Sequence, residues 1–187
     1  EFVTAYGATY NPSKNSLKLP QLIALKASAD ATLADVITKN TNYNNKVNER
    51  ITAFSGLKSL STRLVNALQT TDATTETIGN AKTFNRKMQG KKASSSQTPT
   101  DPNTPAPNTI STSQQSYDQL IQHLAGLTSI LEAETSYTPN ETDLQVATLQ
   151  TKIAELTAKN TAVATAYTSI SNSRIARNET LYTSENG

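Results

Sequence analysis

Fourteen positions of this chain follow one 4-3 spacing: Leu22, Lys26, Ala29, Leu33, Val36, Asn40, Tyr43, Val47, Arg50, Phe54, Leu57, Ser61, Leu64 and Leu68. Ten of the fourteen are apolar. An α-helix stacks residues three and four apart on one face. A spacing kept this long therefore predicts a long helix with a narrow apolar stripe, the pattern of coiled coils and slender bundles. From Ser16 to Thr70 such a helix would run about 80 Å. A second seam, Val146, Leu149, Ile153, Leu156, Asn160, Val163, Tyr167, Ile170, Arg174, Arg177 and Leu181, predicts another. Because a narrow stripe buries little alone, the long helices are expected to pack on each other or on shorter ones.

A motif opens each long segment. Tyr10-Asn-Pro12 is followed by Leu17 and Leu22, and Tyr137-Thr-Pro139 by Leu144 and Leu149, all at an offset of 127. Farther on, Lys39-Asn40-Thr41 matches Lys159-Asn160-Thr161 at an offset of 120. The two offsets differ by one heptad, a deletion that leaves later side chains on their original face. An internal duplication is implied, its unit a short helix, a Tyr-x-Pro turn and a long helix. Only a stub precedes the first turn, and the second long helix stops short of the first one's extent. The chain is accordingly expected to belong to a longer array of repeats.

Punctuation supplies the boundaries. Pro12 suits a first helical position after Asn11, with Pro20 tolerated only if the regular helix starts after Ser16. Ser55-Gly56 and the Asn-rich stretch 40–48 are candidate interruptions, but the seam keeps its phase through both and favours continuity. Thr71-Asp72 reads as a stop and a new N-cap, and Gly90 as a helix end. Thr138-Pro139-Asn140-Glu141 has the form of a capping box. The expected organisation is a first unit over 1–92, with a long helix about 12–70 and a short one about 73–90. A linker follows over 93–113, with four of the seven prolines and too few apolar residues to offset its ordering entropy. A second unit, 114–187, holds helices about 114–133 and 139–183.

Composition narrows the functional classes. Apolar residues are 35% and charged residues 17% of the chain, while Thr, Asn and Ser make up about a third of it. These polar residues have modest helix propensity, so tertiary packing must hold the helices. Seventeen basic and 15 acidic residues leave a net charge of +2, which gives no global field for nucleic acid or anionic lipid. With no Cys, disulfides and thiolate metal sites are excluded. No apolar run approaches the ~18 residues of a membrane span. The profile is similar in composition to exported helical filament and appendage subunits, which slightly favours an extracellular or envelope setting.

Few residues invite a chemical role. The single His123 has no Glu-x-x-His or His-x-x-x-His partner spacing, so metal and acid-base roles are poorly supported and a surface or boundary position is expected. Asn40 and Asn160 hold matching seam positions, where buried Asn sets helix register. Arg50, Arg174 and Arg177 also lie on the seams, free to ion-pair or to extend to water. Arg86, Lys87, Lys91 and Lys92 form the one dense basic cluster, a candidate anionic-partner surface, although cations at a helix C-terminus also suit the macrodipole. Tyr10 and Tyr137 are expected to pack as staples at the helix starts.

The sequence thus predicts an all-α fold: an elongated antiparallel helical bundle or coiled-coil-like hairpins with an internal duplication. Its expected function is that of a non-enzymatic structural or protein-interaction module without cofactor, metal or small-molecule substrate. It would work through protein partners or self-association. The alternatives are an anionic-partner or nucleic-acid binder using 86–92 and a membrane-active helical protein.

Overall fold

A computed structural model describes residues 2–90 and 114–182. The fold is all-α: α1 (Phe2–Ala5), α2 (Leu19–Phe54), α3 (Leu57–Leu68), α4 (Thr75–Met88), α5 (Tyr117–Ala133) and α6 (Val146–Tyr182), with no strand among the described residues. The expected linker over 93–113 lies outside them. Two compact units are present, one comprising 1–49 with 161–187 and the other 50–160.

The 50–160 unit has a closed core. α3, α4 and α5 pack on one another, and Leu64, Leu68, Met88, Leu124, Leu127, Leu149 and Leu156 are fully buried among them. Each such burial contributes roughly 1.5–3 kcal/mol. α4 and α5 approach so closely that a Cβ at Gly126 would overlap the Phe84 ring. Polar side chains tie α3 to α4: the Ser61 hydroxyl lies 2.8 Å from Asn85 Oδ1, and Gln89 Nε2 donates to the Lys58 carbonyl at 2.8 Å. Gln115 Nε2 donates to the Lys87 carbonyl at 2.6 Å, fixing the approach to α5 on the end of α4.

The 1–49 and 161–187 unit is built differently. α2 and α6 run antiparallel here: Tyr43 faces Tyr167 with ring centroids 5.9 Å apart, and the Ser173 hydroxyl donates to Asp35 at 2.7 Å. Eight residues back along α2 thus correspond to six forward along α6. Val163, Ala166, Ile170 and Ser173 are buried at 3-4-3 spacing, as a seam demands. To this unit α2 contributes no fully buried residue: Leu22, Ala29, Val36, Tyr43 and Val47 of the expected stripe are half-buried, while Lys26 and Leu33 are exposed.

Several local expectations are corrected. The first long helix starts at Leu19, not near residue 12; it begins after Ser16, as Pro20 requires, with Pro20 in its first turn where no N–H is missed. It passes unbroken through 40–48 but ends at Phe54, and α3 begins after Gly56. Phe54, Leu57, Ser61, Leu64 and Leu68 are nevertheless all buried, so the stripe keeps its phase across the break. Phase continuity is therefore no evidence of helix continuity. α4 is capped by Thr74, whose hydroxyl accepts from the Thr77 N–H at 3.2 Å, two residues beyond Asp72. Gly90 closes α4 with φ 74°, the left-handed conformation of a C′ glycine. The capping box at 138–141 caps nothing: a 3-10 turn over Thr142–Leu144 intervenes, and α6 begins only at Val146.

Candidate functional site

The two Tyr-x-Pro segments share one local structure. Tyr10 Oη donates to the Leu17 carbonyl at 2.6 Å, and Tyr137 Oη to the Leu144 carbonyl at 2.9 Å, both across seven residues. A 3-10 turn covers Asn15–Leu17 in the first and Thr142–Leu144 in the second. The Leu22 N–H bonds Lys18 O as the Leu149 N–H bonds Gln145 O, and the Tyr10 N–H bonds Gly7 O as the Tyr137 N–H bonds Glu134 O. Every one of these pairs is displaced by 127 residues. The tyrosine is thus more than an apolar staple: its hydroxyl satisfies a carbonyl that the turn leaves open.

Their surroundings differ. Tyr137 and Leu144 are 7% and 4% exposed, whereas Leu17 is 45% exposed and Tyr10 half-buried. The second turn packs on α3, and Arg63 reaches from α3 to pair with both Glu141 and Asp143. Hydrogen bonding to Arg63 holds the Asp143 carboxyl below its ordinary range, and the two acids raise the Arg63 guanidinium. Burial, with those carboxylates nearby, pushes the Tyr137 phenol up to about 12. At the corresponding positions the first turn has Lys14 and Ser16, both exposed.

A polar node occupies the 50–160 unit. Arg50 Nη1 donates to Asn160 Oδ1 at 3.0 Å, and Asn160 Nδ2 donates to Asp118 at 2.7 Å. The Arg50 guanidinium also lies 4.0 Å from the centroid of Tyr117, whose ring meets Phe54 edge-on at 4.8 Å. Three helices are thereby keyed together by one Asn amide. Asn40, its sequence counterpart, is half-buried and makes no side-chain hydrogen bond to a described residue. The stacked cation and the hydrogen bonds use this cluster internally.

Within the basic cluster, Arg86 is exposed at the end of α4, and the Lys87 ammonium lies over the Phe84 ring at 5.6 Å. Lys91 and Lys92 lie outside the described residues. His123 is buried rather than at the surface, its Nε2 without a hydrogen-bond partner among the described residues. Burial, with the Lys87 charge nearby, pushes its imidazole below the ordinary value. No group of three or more His, Asp or Glu among the described residues could hold a metal. A cleft of about 500 Å³ runs beside the α2–α3 break, lined by Gly56, Leu60, Arg63, Asp143 and Lys152 among others. Its Arg and Asp are already paired.

The exposed apolar residues have a clear distribution. Of the large ones, Tyr6, Leu17, Ile23, Leu33, Ile37, Tyr167, Ile175 and Tyr182 all belong to the 1–49 and 161–187 unit, and among the described residues only Ile51 belongs to the other. Along α6, the heptad row Val146, Ile153 and Asn160 is at least half-buried, while Tyr167 and Arg174 on the same row are exposed. Sequence reading missed this asymmetry because the row itself is uninterrupted. Comparison with known proteins finds no matching family model, curated protein or solved structure.

Proposed function

We propose that this chain is a non-enzymatic helical interaction module whose binding face is the apolar side of the 1–49 and 161–187 unit. The observation that carries the reading is the exposure of Ile23, Leu33, Ile37, Tyr167 and Ile175 on the two helices of this unit. Two helices alone cannot enclose a core, and an apolar face of this kind is what protein partners cover. In this reading the chain derives from a duplicated unit, supported by the recurrence of the Tyr-x-Pro turn. One copy is satisfied internally and the other awaits a partner. Asn160 acts as the register-setting residue of the satisfied copy, and the Thr- and Asn-rich composition of the chain suits an exported or surface-displayed protein.

The test compares the wild-type chain with an Ile37→Ser, Tyr167→Ser double variant as bait in an extract of its source cells. A protein retained by the first and lost by the second supports the reading. Equal capture by both removes it. Flotation of the wild type with liposomes would instead assign the face to lipid, and salt-sensitive binding of a nucleic acid would assign function to the cluster at 86–92.

A further inference from the structure

The second Tyr-x-Pro turn shows what kind of surface such a turn fits. Tyr137 and Leu144 are buried, and Leu149 just beyond them is wholly buried, in a cluster that includes Leu57, Leu64 and Leu68 of α3. α3 is braced in turn by α4. Its electrostatic key is Arg63, which pairs with Glu141 and Asp143. The first turn has the same backbone, the same tyrosine bond and the same leucines, but Leu17 is 45% exposed and Tyr10 and Leu22 are half-buried. Its charge is reversed: Lys14 replaces Glu141, Ser16 replaces Asp143 and Lys18 replaces Gln145. Among the described residues, the ion pairs involve neither Lys14 nor Lys18.

Resting on the interaction-module reading above, we infer that the first turn is a docking surface for a helical pair of the α3–α4 kind, carried by another polypeptide, with a carboxylate where α3 has Arg63. A second copy of this chain does not fit. Its α3 is already covered by its own second turn, and its Arg63 would face Lys14 with like charge, a juxtaposition that discriminates against a partner. Leu17, Leu22 and the Tyr10 ring provide the apolar contact, and Lys14, with Lys18 beside it, selects the acidic occupant.

Two synthetic peptides of residues 57–88, one native and one carrying Arg63→Glu, test this against the isotopically labelled full-length chain. Amide shifts of the labelled chain are the readout, so a peptide that folds only on the turn still registers. The Arg63→Glu peptide is expected to shift the amides around Tyr10, Leu17 and Leu22, and the native peptide to bind at least about tenfold more weakly. On a Lys14→Glu chain the preference should invert. Failure of both peptides to bind, shifts located elsewhere, or indifference to the charge exchange would overturn the inference. If the Ile37 and Tyr167 bait variant still loses its captured protein in that event, the module reading survives without this surface. Concentration-dependent self-association of the wild-type chain that Lys14→Glu abolishes would also overturn it, by making the occupant a second copy.

Discussion

The two Tyr-x-Pro turns have the same backbone hydrogen bonds and the same tyrosine anchor, yet Leu144 is 4% exposed and Leu17 45%. Local structure is therefore independent of burial here. The Tyr hydroxyl, the 3-10 turn and the start of the following helix form in both settings, because each bond lies within about eight residues of chain. What burial adds in the second turn is packing on α3 and the Arg63 pair. The difference shows that the turn is a local module, and that docking is a separate event with its own electrostatic requirement.

The comparison can be broken most sharply at the leucines. Leu144→Ala is expected to destabilise the chain by about 2–5 kcal/mol, since it leaves a cavity in a closed core. Leu17→Ala should cost under about 1 kcal/mol, because nearly half its surface already meets water. Urea denaturation of both variants checks this, and equal losses would mean that exposure does not distinguish the turns. The tyrosines come next. Tyr137→Phe leaves the Leu144 carbonyl without its donor in a buried place, at a cost of about 1–3 kcal/mol, whereas water can replace the hydroxyl lost in Tyr10→Phe.

Tyr137 also carries a pH signature. Its raised folded value means that its stabilising effect is complete below the ordinary tyrosine range, near pH 10, and is lost as pH rises toward about 12. Ultraviolet titration should show one phenol ionising late, and Tyr137→Phe should abolish that phase. The smallest effect belongs to the exposed Arg63 pair. Asp143 is held low, so its contribution is present above the ordinary carboxylate value near pH 4 and disappears as pH falls through the lower folded value. Arg63→Ala should remove that acid sensitivity while leaving the fold intact, and added salt should weaken the pair in the wild type. Acid melts of the two chains would decide it.

Much of the helical fabric is legible in the sequence. The seam from Phe54 to Leu68 is buried where the 4-3 spacing places it, and Gly90 ends its helix as a C′ glycine should. Of the two displaced helix starts, Pro20 pointed to the first, and the second was not legible. The Thr138-Pro139-Asn140-Glu141 string has every residue of a capping box, but the Tyr137 hydroxyl bond and the 3-10 turn over Thr142–Leu144, a local arrangement that the first copy shares, stand where the helix start was expected. Ser55-Gly56 was legible as a candidate break, but the seam argued wrongly for continuity, because the interruption preserves the face and periodicity reports only faces. The Arg63 pair joins residues 78 and 80 apart in sequence, a separation no helical spacing can bridge.

By itself, then, the sequence determined the all-α class, the positions of the apolar rows and the repetition of the turn, since these depend on periods of a few residues and on local hydrogen bonding. Only the tertiary structure decided which turn and which stretch of α6 are covered. The heptad row through Ile153, Asn160, Tyr167 and Arg174 is unbroken in sequence, but α3, α4 and α5 give the 50–160 unit its closed core, and burial depends on the presence of neighbours that a periodic row cannot specify.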